Sequence, residues 1–114
     1  MYLRLMPESP LTDIVTVSIA CASESEAQSL TGLLITAHLA ACVQSHEIRS
    51  TYRWKGEVET SNEIMLVAKT LRDRLPMLET LVRQHHSYEV PEILATPVVW
   101  ATADYEAWLR EALA

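Results

Sequence analysis

Two long extended runs, Ala40 to Trp54 and Val58 to Lys69, meet at the turn Lys55-Gly56-Glu57. In the second run Ile64, Leu66 and Ala68 face one way and Met65, Val67 and Lys69 the other, the period-two signature of a strand. The two therefore form a hairpin around Gly56, and its length constrains everything else. At about 3.3 Å per residue, the run from Ala40 to Trp54 spans roughly 50 Å. A compact chain of this size has a radius of gyration of about 13 Å, hence a diameter of roughly 35 Å. Either the strand bends through a β-bulge in the polar stretch at Ser45–Glu47, or its tip projects beyond the domain. A projecting tip carrying Tyr52, Trp54 and Val58 leaves open edges that favour aggregation unless another chain covers them. We take the second option, with neighbouring subunits pairing on the hairpin.

The elements around the hairpin fall into order. Ile14 to Cys21 is β-branched and alternating, with Val15, Val17, Ile19 and Cys21 on one face. Ser23-Glu24-Ser25-Glu26 reads as a capping box in which Ser23 accepts from the amide of Glu26 and Glu26 reaches back to the amide of Ser23. The helix that follows has Ala27, Leu30, Leu33, Leu34 and Ala37 on one face and ends near His38. A second helix spans Asp73 to His86, with Pro76 tolerated in its first turn and Leu75, Leu78, Leu81 and Val82 as its stripe. Pro91 to Val99 is a short strand, and Thr102 caps a last helix carrying Tyr105, Trp108, Leu109 and Ala112. The order βαββαβ plus a terminal helix is a ferredoxin-like α+β fold, an antiparallel four-stranded sheet with helices on one face. Residues 1–12 read as an N-terminal extension with turn chemistry at Pro7 to Pro10, and 13–114 as a single domain.

Composition removes several functional classes. The chain has 114 residues, 9 basic and 15 acidic, for a net charge of −6. That balance disfavours nucleic acid and anionic membrane as partners. No run approaches the roughly 20 apolar residues of a membrane span, and the first twelve residues lack the apolar block of a signal peptide, so a cytoplasmic location is expected. With two glycines in the whole chain, phosphate-cradling glycine loops are excluded. Two cysteines make no disulfide scaffold, and their spacing matches no zinc motif. No nucleophile triad, metalloprotease helix or paired catalytic acid is present, so the chain reads as non-enzymatic. Glu24/Glu26 and Glu57/Glu59 are explained by a helix cap and a solvated hairpin.

Several spaced motifs then carry a resemblance. Leu39-Ala40-Ala41-Cys42-Val43, Tyr52-x-Trp54-x-Gly56, Glu63 ahead of Leu66 to Lys69-Thr70, His86-x-Tyr88-x-x-Pro91-Glu92-Ile93 and Tyr105-x-x-Trp108 resemble the CutA family of divalent-cation tolerance proteins, over about Ile14 to Leu113. The resemblance implies a ferredoxin-like homotrimer, related in fold to the PII signal proteins, and a role in metal-ion response, historically copper tolerance. The family usually has Pro where this chain has Ser87, and often Gly where it has Trp100-Ala101-Thr102. Losing Pro frees φ and adds an amide donor, which implies a less rigid loop around His86.

Thiolate and imidazole suit copper and zinc. In the family's fold the end of the first strand and the end of the second helix fall near one another beside a subunit cleft. The expected copper or zinc site is therefore Cys21 with His86, with His85 or Glu92 as a third ligand. The competing reading is structural: a buried cysteine packs as a small hydrophobe, and histidines at a helix end complement its dipole. Cys42 reads as core. Tyr52, Trp54, Lys69, Tyr88, Pro91 and Glu92 form a second cluster, either an aromatic pocket for a small anion or metabolite with Lys69 beside Glu63 or Glu92, or, with Trp108, anchors between subunits. Three functions follow: non-catalytic divalent-metal binding in metal tolerance, a PII-like small-molecule sensor, or a stable trimeric scaffold.

Overall fold

Alternation along β1 (Ile14–Cys21) dictates where the core lies. Val15, Val17, Ile19 and Cys21 are sealed from solvent and pack on Ala27, Leu30 and Leu34 of α1 (Glu24–Thr36) and on Leu78 and Val82 of α2 (Leu75–His85). Each large aliphatic side chain buried this way contributes about 1.5–3 kcal/mol. The computed structural model describes residues 13–114; the expected N-terminal extension lies outside the described residues. Strands β2 (Cys42–Trp54), β3 (Glu57–Leu71) and β4 (Ile93–Pro97) complete one antiparallel sheet in the order β2-β3-β1-β4. With α3 (Ala103–Leu113) at the end, the architecture is the expected ferredoxin-like one with an added helix. No described helix is long and apolar enough to cross a membrane.

Register runs without a break from Cys42↔Lys69 to Trp54↔Glu57, so the β-bulge is absent. The polar stretch stays in the ladder because backbone pairing is indifferent to side-chain polarity, and both faces there reach solvent. Lys55 and Gly56 close the hairpin with φ of 51° and 86°, the two positive values of a type I′ turn. Because β1 pairs with β3 only between Ile64 and Leu71, the distal half of the hairpin is a free arm. The long axis reaches 52 Å and the radius of gyration 15.8 Å, above the ~13 Å of a compact chain this long.

Several local expectations need correction. A 3₁₀ turn, Arg72–Arg74, precedes α2 and delays its start to Leu75. Thr102 occupies the N-cap of α3 but its hydroxyl caps nothing; only its carbonyl accepts, from the Glu106 amide at 3.0 Å. The buried residues of α3 are Leu109 and Leu113, packed with Ile14, while Tyr105, Trp108 and Ala112 stay exposed. Ile14 points opposite to Val15, so α3 lies against the face that α1 and α2 leave open, and the helices are not all on one face.

A bidentate ion pair fixes α3 to the start of β1. Arg110 donates to Asp13 Oδ2 at 2.9 Å and Oδ1 at 3.0 Å. These bonds hold the Asp13 carboxyl below its ordinary value of 3.8. A depressed carboxyl stabilises the fold above its unfolded value and loses that contribution as pH falls through the folded one. The Asp13 side chain is about half exposed, so Asp13→Asn is expected to cost only about 0.5–1 kcal/mol at neutral pH. Thermal unfolding of both proteins checks this: the gap should narrow as pH falls below the unfolded value of 3.8 and close once the folded carboxyl is protonated too.

Candidate metal centre

β1 ends at Cys21, and two residues later Ser23 starts α1 by accepting the Glu26 amide at 3.2 Å. Glu26 reaches back one residue further than the expected capping box, taking the Ala22 amide on Oε2 at 3.0 Å. Its other oxygen accepts the Ser87 amide at 3.0 Å. Burial pushes the Glu26 carboxyl up, but the hydrogen bonds from Ala22 and Ser87 outweigh it and leave the pKa lowered. The Ser87 donor, absent where Pro stands, is thus used to tether the loop that the sequence suggested would be looser.

His86 follows the last residue of α2 with extended backbone, φ −96° and ψ 143°, and its side chain is fully buried. Nε2 donates to the Ala20 carbonyl at 2.8 Å, and Nδ1 accepts from the Tyr88 amide at 3.0 Å. A carbonyl can only accept and an amide N–H only donates, so the ring is neutral with its proton on Nε2. Nε2 also lies 3.5 Å from Glu26 Oε2. Cys21 is buried beside them, and desolvation, reinforced by the charges of Glu26 and Glu63, pushes its thiol up to about 12.

The ligand atoms of Cys21, Glu26 and His86 all lie within 4.8 Å of one another. Thiol, carboxylate and imidazole fit a borderline divalent ion in kind and spacing. To bind one, Cys21 must lose its proton and His86 must release a hydrogen bond. Glu26 was missed as a donor because the capping box already explained it; a capping Glu directly after a strand ending in Cys was the available signal. His85 is not part of the group: it is exposed, with Nδ1 on the Leu81 carbonyl at 3.0 Å. His85 is the last helical residue and His86 turns to extended backbone, so the two side chains diverge.

Glu92 lies elsewhere too, along a groove of about 680 Å³ between the hairpin arm and the loop after α2. Tyr52, Trp54, Tyr88 and Glu63 share that groove. The Tyr88 hydroxyl donates to Glu63 Oε2 at 2.6 Å; burial and that carboxylate hold the phenol well above its usual range. The remaining members of the expected pocket are separated from it. Lys69, six residues along β3 and so about 20 Å from Glu63, sits with its Nζ 5.9 Å from the Tyr105 ring centre in a second depression. Pro91 is buried outside the groove lining, and Trp108 stacks on Tyr105 at 5.4 Å.

A thiol sealed at 0 % exposure and ionising near 12 cannot act as a nucleophile at neutral pH. Native protein treated with iodoacetamide should leave Cys21 unmodified, and denatured protein should label it fully, as read by peptide mass. A raised thiol pKa stabilises the fold below the unfolded value of 9.0 and loses that stabilisation as pH climbs towards about 12.

Comparison with known proteins gives a consistent answer. Residues 15–112 match the family model described as "CutA1 divalent ion tolerance protein". The chain is 40 % identical over 96 residues to the divalent-cation tolerance protein CutA of Thermus thermophilus, covering 83 % of this chain and 93 % of that one. It is 35 % identical over 94 residues to human Protein CutA, covering 82 % of this chain but only 52 % of the human one, so it spans about half that relative's length. Among solved structures, a protein titled the periplasmic divalent cation tolerance protein CutA from Archaeoglobus fulgidus superposes with a TM-score of 0.87 at 28 % identity, covering 89 % of this chain and 99 % of that one. The chain therefore belongs to the CutA1 divalent ion tolerance family.

Proposed function

We propose that this protein is a non-catalytic homotrimer that binds copper or zinc at Cys21, Glu26 and His86 and serves metal-ion tolerance in the cytoplasm. The observation that carries the reading is the convergence of three donors of the right softness within 4.8 Å, at a place where β1, α1 and the end of α2 meet. The tolerance name of the relatives supports the metal. The protonated, buried Cys21 favours a ligand role over a catalytic one, since an ion can displace a thiol proton that no neighbouring base removes. Two free cysteines suit a reducing compartment.

Calorimetric titration with Zn(II) and Cu(II) tests the site. Wild type should bind one ion per chain, and Cys21→Ser, His86→Ala and Glu26→Gln should each weaken binding by at least about tenfold. His85→Ala should change nothing. Equal affinity across all five proteins would overturn the site.

The trimer rests on the free arm and on the two open sheet edges, β2 and β4. Val58 on the arm is 65 % exposed, and Leu94 on β4 is 61 % exposed. Apolar side chains beside unpaired backbone call for a partner surface. Native mass should be three times the 12.8 kDa of one chain, and Val58→Asp should shift it towards the monomer in light scattering. A wild-type monomer would refute the assembly.

A further inference from the structure

Glu63 carries a charge that its surroundings do not balance. It is only 6 % exposed. Its Oε2 takes the Tyr88 hydroxyl at 2.6 Å, a length typical of an ionised acceptor. Among the described residues its Oε1 accepts no hydrogen bond, and no Lys, Arg or His nitrogen forms an ion pair with it. A buried carboxylate with one neutral donor is costly until opposite charge reaches it.

The groove onto which Glu63 opens is suited to deliver that charge. Tyr52, Trp54 and Tyr88 supply aromatic walls, Glu89 and Glu92 add carboxylates, and no Lys or Arg lines it. Ser50, Tyr52 and Trp54 are alternate residues of β2 and so point to one face. Aromatic faces attract cations, and the Lys55 ammonium already lies 5.5 Å from the Trp54 ring centre. A volume of about 680 Å³ suits an organic molecule. A bare divalent ion instead needs several oxygen ligands at about 2.0–2.6 Å, which aromatic walls do not offer.

We propose that this groove binds an aliphatic primary ammonium ion, such as a diamine, with an N–H donating to Glu63 Oε1 and its methylenes lying against Tyr52 and Trp54. The free Oε1 selects the class: a quaternary ammonium has no N–H to give it, and an anion meets three carboxylates. This site is distinct from the metal centre. Ala20 lines the groove, whereas Cys21 points to the opposite face of β1.

Titration of the full chain, as purified, with putrescine tests the assignment, with choline, n-butanol and succinate as comparisons. Putrescine should bind saturably and more tightly than choline, and the alcohol and the diacid should not bind. Glu63→Gln, which keeps the Tyr88 bond, should weaken putrescine by at least about tenfold. Tyr52→Leu, on the hairpin arm outside the buried core, should weaken it about threefold while leaving the native mass unchanged. Glu111→Gln, an exposed acid far from the groove, and Cys21→Ser should leave affinity unchanged, which separates this site from general attraction to an acidic protein and from the metal centre. Absence of saturable putrescine binding, undiminished binding in both Glu63→Gln and Tyr52→Leu, choline binding as tightly as putrescine, or a Glu63-dependent site for Mg(II) alone would each overturn the proposal.

Discussion

The ladder between β2 and β3 outlasts the support that β1 gives it, and the rest of the molecule is arranged around that mismatch. β1 backs β3 from Ile64 to Leu71, while β2 follows β3 to the turn at Lys55-Gly56. A two-stranded ribbon is marginal in water by itself. Here it is continuous with a sheet whose other half is anchored by the packed faces of α1 and α2, so the arm inherits its register from the core. The arm in turn supplies one wall of the groove, through Ser50, Tyr52 and Trp54.

The end of β1 divides the chemistry between two faces. Ala20 and Cys21 are consecutive, so their side chains point apart, and one belongs to each site. His86 joins them. One ring nitrogen holds the Ala20 carbonyl and the other the Tyr88 amide, which sets the backbone from which Tyr88 reaches Glu63 across the sheet. Any event that turns this imidazole therefore also moves Tyr88. Glu26 steadies the same loop from the helix side through the Ser87 amide. The backbone of His86 is already extended, as a residue before proline must be, so Ser87 keeps that conformation and gains a charge-assisted hydrogen bond.

What was legible in the sequence is what depends on local period. The alternation of Val15, Val17, Ile19 and Cys21, the helical stripe of Leu30 and Leu34, and the long hairpin around Gly56 all report faces of single elements, and the fold order follows from them. Convergence between elements was less legible. Lys69 and Glu63 share a strand and a face, which invites pairing them, yet the strand's rise puts them at opposite ends of the sheet. His85 and His86 look equivalent as text, yet the helix ends between them, leaving the first in solvent while extended backbone carries the second into the interior. Glu26 was hidden because one side chain satisfies a cap and also faces Cys21 and His86. A resemblance to a family located the region but not the third donor, since its motifs mark positions without stating which atoms meet.

The scarcity of glycine sharpens the account of rigidity. Among the described residues, two backbone positions outside glycine lie in the left-handed region, Lys55 at φ 51° and His38 at φ 59°. Such a conformation costs a non-glycine residue about 1 kcal/mol or more, so it persists only where the surroundings over-determine it. At His38 they do. The Leu39 amide bonds the Leu34 carbonyl at 2.9 Å and the His38 amide the Ile35 carbonyl at 3.1 Å, the paired bonds of a Schellman stop. Arg74 donates to the His38 carbonyl at 2.7 Å and to the Leu113 carbonyl at 3.0 Å, joining the ends of α1 and α3 through one guanidinium. At Lys55 the turn is held by the register on both sides of it. Strain is therefore placed where hydrogen bonds already fix the chain, and the residues spared from being glycine keep side chains that bind: a histidine on the Ala114 carbonyl, and a lysine on Trp54 at the rim of the groove.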